Sequence, residues 1–217
     1  MSFDPFGDFE TKGYLRNIAV EKDAGIIKRL EHQAYQEAVP DALEYLVDKA
    51  SLTYADILET HRILFGAVYP WAGQDRHLLA PQIAIGKAGR YDFFTHPNDI
   101  VKAAEFALNL GNDKDTMLAK SGTVMGYLAH AHPFLDGNGR TILVIHTELA
   151  KRAGILIDWL SIGKNDYLKA LTDELDRPGK VLDKFLAPFI RVGVHEKGKI
   201  LADLRDNPDL GPKPGDR

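Results

Sequence analysis

The sequence predicts a mostly helical, all-α protein carrying one small β-hairpin, and three observations lead there. Apolar residues recur at helical spacing in successive segments from Asp23 to Leu204, separated by capping residues, glycines and prolines. Between Trp71 and Pro97 the helical period disappears, and apolar and aromatic residues flank Gly86-Lys87-Ala88-Gly89 as the arms of a hairpin. Finally, the apolar run Ile142 to Ala150 reads as a central, mostly buried helix.

Taken in order, residues 1–20 mix Pro5, Gly7 and Gly13 with Phe3, Phe6, Phe9 and Tyr14, an irregular arm whose rings dock on the body. Ile26, Ile27, Leu30, Ala34 and Tyr35 predict a helix from Asp23 that Pro40 ends, with Asp41 capping a short helix through Leu46 and Val47. Thr53 and Asp56 have capping-box spacing at the start of a helix with Ile57, Leu58, Ile63, Leu64 and Val68, and Pro70 closes that segment. After the hairpin, from about Leu78 to Phe94, a helix runs from Asn98 to a stop at Gly111, and another from Asp115 to about Ala131. The central helix spans Asn138 to about Ala153, where Gly154 stops it. Beyond Trp159 come helices near Asp166 to Leu175 and Val181 to Ile190, and a short one at Ile200 to Leu204. The stretch from Asn207 is expected to be disordered. The expected organisation is an arm, residues 1–20, a helical domain, 21–192, and a partly disordered tail, 193–217.

At 217 residues the chain fits one domain, able to bury about 70% of its unfolded surface. A net charge of −4 gives no global attraction to nucleic acid or anionic lipid, so neither partner is expected. Without cysteine there is no disulfide framework or thiolate metal site. No signal-peptide pattern and no 18-residue apolar stretch is present, so a cytoplasmic protein is expected, delivery into a host cell staying open. His61, His77, His96, His130 and His146 show no His-Glu-x-x-His spacing, and the Gly-Lys pairs never complete a P-loop.

The chemistry concentrates in His132-Pro133-Phe134-Leu135-Asp136-Gly137-Asn138-Gly139-Arg140. Gly137-Asn138-Gly139 opens the buried helix, where unpaired amides and the helix dipole favour an anion such as phosphate. The Asn138 side chain is expected to add a hydrogen bond to that anion, and Arg140 to donate to a neighbouring phosphate. Asp136 beside a phosphate calls for a bridging Mg²⁺. His132 titrates near neutrality and can take a proton from an attacking hydroxyl. Together these residues point to nucleotidyl or phosphoryl transfer.

This stretch resembles the signature of the Fic/Doc family, His-Pro-Phe-x-Asp/Glu-Gly-Asn-Gly-Arg-x-x-Arg, and Tyr69 to Arg76 looks like the segment before that family's flap. The resemblance implies a bundle around two central helices with a hairpin flap, and transfer of AMP from ATP to a hydroxyl of a target protein. It makes His132 the general base, Asp136 the Mg²⁺ ligand, and Phe134, Gly137, Asn138, Gly139 and Arg140 the nucleotide-binding set. It also places the target protein along the flap, at Ile83, Ile85, Gly86, Lys87 and Gly89, through strand addition. A kinase or other nucleotidyl transferase is the alternative within the same chemistry, and a catalytically weak binding member the alternative outside it.

One position departs from the signature: Leu143 stands where its last arginine belongs. A charge-assisted contact contributes about 1.5 to 3 kcal/mol, so its loss weakens triphosphate affinity roughly ten- to a hundredfold. The family's restraining Ser/Thr-x-x-x-Glu-Gly/Asn helix is not found before the motif, and no Ser or Thr follows Thr172. A separate small antitoxin-type inhibitor supplying the glutamate would meet no arginine at 143. Oligomeric state is not readable from the chain.

Overall fold

The computed structural model describes residues 4–8, 15–86, 90–193 and 197–205. Its helices are α1 (Ala24–Val47), α2 (Tyr54–Phe65), the single turn α3 (Arg76–Leu79), α4 (Ile100–Asn112), α5 (Lys114–Ala131), α6 (Asn138–Ala153), α7 (Lys164–Asp176), α8 (Leu182–Leu186) and α9 (Lys197–Arg205). Two three-residue strands, β1 (Ile155–Ile157) and β2 (Ile190–Val192), pair antiparallel with Leu156 opposite Arg191. Among the described residues no helix is long and apolar enough to cross a membrane.

The expected pair of central helices is α5 and α6. Every residue from Thr141 to Ala150 is buried, because α6 is covered on one side by α5 and on others by α1, α2, α4 and β1. Gly154, at φ +85°, ends α6 with its amide donating to the Ala150 and Lys151 carbonyls, as the sequence predicts. Asp56 accepts from the Thr53 amide at 2.8 Å and hydroxyl at 2.7 Å, fixing the start of α2. The arm docks as expected where it is described: Leu15 is buried, Phe6 meets Trp71, and the Trp71 indole donates to the Leu15 carbonyl at 2.7 Å. Phe3, Phe9, Tyr14 and the tail from 206 lie outside the described residues.

Several boundaries differ from the sequence reading. Pro40 does not end a helix; α1 continues through it to Val47. Tyr35, Val39, Leu43 and Leu46 are buried on both sides of the proline, and about 1.5 to 3 kcal/mol for each such side chain outweighs the roughly 3 kcal/mol that an interior proline costs. Gly111 is interior to α4 rather than its stop, seated where a Cβ would come within 2.6 Å of Leu149 Cδ1. The helix expected from Val181 to Ile190 stops at Leu186; Pro188 has no amide to donate, and the chain passes into β2. Ile200 and Leu204 of α9 are buried, and α9 packs on α1.

The strands expected between Leu78 and Phe94 are not formed among the described residues. Asp75 accepts from the Leu78 amide at 2.9 Å and so starts a helical turn where the first strand was read. The chain still doubles back: a Cβ on Gly86 would stand 2.9 Å from the Arg90 carbonyl oxygen. Ile83 and Ile85 are half-buried between exposed neighbours, while Lys87 and Gly89 lie outside the described residues.

α5 is kinked at Lys120 (φ −142°, ψ 41°). The backbone groups freed by the kink are taken up from other elements: Asp183 accepts from the Thr123 amide at 2.8 Å, and His146 Nε2 donates to the Ser121 carbonyl at 2.8 Å. Gly122 at the kink lets α8 approach so closely that a Cβ would lie 2.3 Å from the Asp183 amide nitrogen. Gly122→Ala is therefore expected to lower stability by about 1 to 3 kcal/mol, read as a drop in thermal midpoint. Gly198→Ala, whose added methyl meets nothing within 4 Å, should leave the midpoint unchanged or slightly raised; equal effects would contradict this packing.

Candidate active site

The turn joining α5 to α6 holds the motif. His132 caps α5 in the left-handed region (φ 41°, ψ 59°), an uncommon place for a non-glycine residue. Its ring stacks on Phe94, centroids 3.8 Å apart. Gly137 also takes a left-handed conformation (φ +77°), and a Cβ there would come within 2.7 Å of Phe65, so only glycine fits. Gly139 is exposed at the first turn of α6, which has no side-chain cap, so the amides opening the helix have no intrahelical partner.

Asn138 does not serve as expected. Its side chain accepts from the Phe134 amide at 2.8 Å and donates to the Phe134 carbonyl at 2.7 Å, while the residue is buried. Both ends of the amide are committed to closing the turn, so its contribution to an anion site comes from the backbone. Phe134 is likewise buried, stacked 3.7 Å from the His61 ring, and braces the turn rather than facing a ligand.

His61 is a site residue that sequence reasoning left among scattered histidines. The Gly73 amide donates to its Nδ1 at 2.9 Å, which makes Nε2 the protonated nitrogen that donates to the Asp136 carbonyl at 3.1 Å. Burial pushes its imidazole down to about 3, so it stays neutral and holds the backbone of Asp136. The Asp136 carboxylate, half-buried, accepts from the Gly137 amide at 2.6 Å through one oxygen.

Arg140 is also placed differently from the expectation of a free phosphate donor. Its Nη2 donates to Glu31 of α1 at 2.9 Å, and its guanidinium lies over the Phe65 ring, 4.6 Å from the centroid. The Tyr69 hydroxyl donates to the other oxygen of Glu31. Burial, and then the nearby Asp136 charge, raise the Glu31 carboxyl, with Arg140 pulling against them. Leu143, one turn on, is 1% exposed and belongs to the core. Glu31 lies 109 positions from Arg140 in sequence, and no local pattern announced it.

Arg76 is fully buried beside the turn. It donates from Nε to the His132 carbonyl at 2.8 Å, from Nη2 to the Thr95 carbonyl at 2.9 Å and from its own amide to the Pro133 carbonyl at 2.7 Å. The only hint in the sequence was its place at the end of Tyr69 to Arg76. The other candidates settle plainly. Arg90 pairs with Asp92 and Asp176 on the surface, Trp71 and Trp159 are core, and Lys151 pairs with Glu148 at the far end of α6. Among the described residues no three His, Cys, Asp or Glu side chains are grouped to hold a metal ion by themselves.

A helical bundle whose central helix opens on a Gly-Asn-Gly turn, with a histidine and a carboxylate just before it, defines a Fic-type fold. Residues 51–150 match the pattern of the Fic/DOC family. It is 30% identical over 171 residues to the protein adenylyltransferase VbhT of Bartonella schoenbuchensis, covering 78% of this chain and 35% of that protein. It is also 29% identical over 170 residues to y4lH of Sinorhizobium fredii, covering 72% of this chain and 81% of that protein. The chain thus spans about a third of the length of VbhT. The solved N-terminal Fic domain of a VirB-translocated Bep effector from Bartonella quintana, with ADP bound, superposes with a TM-score of 0.70 at 20% identity, covering 85% of this chain and 92% of that one.

Buried neutral histidines give the protein a pH signature. Burial lowers His146 to about 4 and His61 to about 3 from the usual 6.5, and protonating His146 would put an N–H on Nδ1, which has no hydrogen-bond partner among the described residues. Below pH 6.5 the unfolded chain takes up protons that the folded one refuses. Their contribution is therefore complete above that pH and lost as pH falls, by up to about 1.4 kcal/mol per unit for each group. The raised Glu31 carboxyl opposes this slope. His146→Gln keeps a donor for Ser121 without titrating, so urea unfolding between pH 6.5 and 4 should show a flatter decline than in the parent; the same slope in both would contradict this assignment.

Proposed function

We propose that this protein transfers AMP from ATP to a hydroxyl side chain of a target protein. The observation that carries this reading is the single turn that brings His132, Asp136 and the open amides of α6 together. His132 takes the proton of the target hydroxyl, whose oxygen attacks the α-phosphorus. The bond from that phosphorus to the bridging oxygen breaks, and pyrophosphate leaves. The backbone amides of Asn138 and Gly139, at the positive end of α6, receive the phosphates, joined by that of Gly137 where it leaves the Asp136 carboxylate, with Gly139 leaving room for close approach.

Asp136 suits a Mg²⁺ ion of the kind that takes one carboxylate, the substrate phosphates and waters, since one of its oxygens is held by the Gly137 amide and, among the described residues, no three His, Cys, Asp or Glu side chains form a ready-made cage. That ion, when bound, offsets phosphate charge. Within the domain division proposed from the sequence, the segment around Ile83, Ile85 and Gly86, with Lys87 and Gly89, is the docking place for the target backbone. Arg140, the remaining arginine, reaches the outer phosphates only by sharing or leaving Glu31, so the grip on the triphosphate is weaker than the full signature provides. A small inhibitor that presents a glutamate would find no arginine at position 143, where the buried Leu143 stands.

Incubation with α-labelled ATP, Mg²⁺ and a cell lysate should label protein, and His132→Ala should lower labelling about 10² to 10⁴-fold. Labelling that survives His132→Ala undiminished overturns the assignment. Transfer of label from the γ-position alone would replace AMP transfer by a kinase reaction.

A further inference from the structure

Three hydrogen bonds leave one residue, two to the turn that carries the histidine and one to the segment beside it. Arg76 lies between the end of α5 and the loop leading out of the flap region, and its side chain is 0% exposed. Helix α5 ends with carbonyls that lack intrahelical donors, and His132, in its left-handed conformation, turns its own carbonyl away from the helix axis. Arg76 meets that carbonyl with Nε at 2.8 Å, and its backbone amide meets the next one, of Pro133, at 2.7 Å.

The second arm of the same guanidinium reaches a different segment. Nη2 donates to the Thr95 carbonyl at 2.9 Å, the Thr95 amide donates to the His130 carbonyl at 2.9 Å, and His130 Nδ1 donates to the Phe93 carbonyl at 2.8 Å. Residues 93 to 95 are thereby fastened to the last turn of α5. Phe94, between the two fastened residues, lays its ring on the imidazole of His132 at 3.8 Å and 26°.

We infer that Arg76 is a positioning residue for the base: it locks the backbone of His132 and the loop bearing Phe94 into one unit, so that the Phe94 ring sets the plane of the imidazole. A planar fork that spans two carbonyls from separate segments is a property of arginine; a lysine offers one rotatable point charge and cannot hold both in fixed geometry. Asp75, the residue before Arg76, is itself held by the Tyr54 hydroxyl, which donates to it at 2.6 Å. The inference rests on the reading of His132 as general base. It goes beyond that reading by naming what orients it.

The test uses the full chain with Arg76→Lys and Phe94→Leu, followed by two readouts. The first is NMR of ¹³C-labelled histidine, in which the stacked Phe94 ring shifts the His132 ring protons. The second is the kinetics of AMP transfer. In Arg76→Lys the His132 ring signals should move toward those of Phe94→Leu. A misplaced base should lower kcat about a hundredfold, with KM for ATP changed by less than about threefold because phosphate binding is left intact. His132 signals and kcat as in the parent would overturn the inference. So would a loss confined to the thermal midpoint, which is what a purely structural arginine gives. If Arg76→Lys does not fold, Phe94→Leu decides: a fall in kcat at constant KM supports the coupled unit, and unchanged kcat sinks it. A parent protein that transfers no AMP would fail the proposed function, and the NMR shifts would still settle the role of Arg76.

Discussion

The side-chain amide of Asn138 closing on the backbone of Phe134 is the constraint on which the site depends. Two hydrogen bonds, of 2.8 and 2.7 Å, span four residues and make the link between α5 and α6 a rigid loop. Only a group with a donor and an acceptor at that separation can satisfy both backbone positions, so neither aspartate nor leucine would do. With the loop closed, Gly137 is driven against Phe65 in a conformation reserved for glycine, and α6 begins with amides open to an approaching anion. His132 stands at the other end of the same loop. The separation between His132 and the first amides of α6 is thus fixed by the closed loop, and α5 and α6 carry it into the buried core.

Around this loop the protein keeps its charges few and assigned. His61 is neutral and supports the Asp136 backbone, while Arg140 is shared with the buried Glu31 and Tyr69. The Arg140 guanidinium thus stands beside two carboxylates, Glu31 and Asp136, while that of Arg76 is spent on the His132 and Thr95 carbonyls. An anionic ligand must draw its stabilisation from the helix-end amides and from a cation that it brings along, because the protein supplies little surplus positive charge there. Leu143 fits this picture: it contributes apolar packing in the core where the family signature carries a second guanidinium.

Much of this was legible in the sequence where the determinants are local. The bounds of α6, the capping box at Thr53 and the glycine stop at Gly154 follow from residues within a turn of one another, and the structure keeps them. Pro40 misled because the buried face running from Tyr35 to Leu46 is a property of the folded core, which outweighs one lost backbone bond. The hairpin misled because Asp75 can cap a helical turn, a choice that alternating apolar residues do not reveal. Asn138 was expected to face a phosphate, and nothing in a Gly-Asn-Gly run tells whether the amide binds a ligand or its own loop. Glu31, His61 and Arg76 were not legible as site residues, since the motif residues they bond, Arg140, Asp136 and His132, lie 56 to 109 positions away and meet them only on folding.

If the loop is a phosphate cradle and His132 acts only on the attacking hydroxyl, binding and chemistry must separate. Calorimetric titration of ATP with Mg²⁺ into the parent and into His132→Ala reads this directly. Equal affinity in the two proteins, with transfer of AMP present in the parent and lost in the variant, is the expected result. Failure of the parent to bind the nucleotide, or loss of binding together with the imidazole, would contradict it.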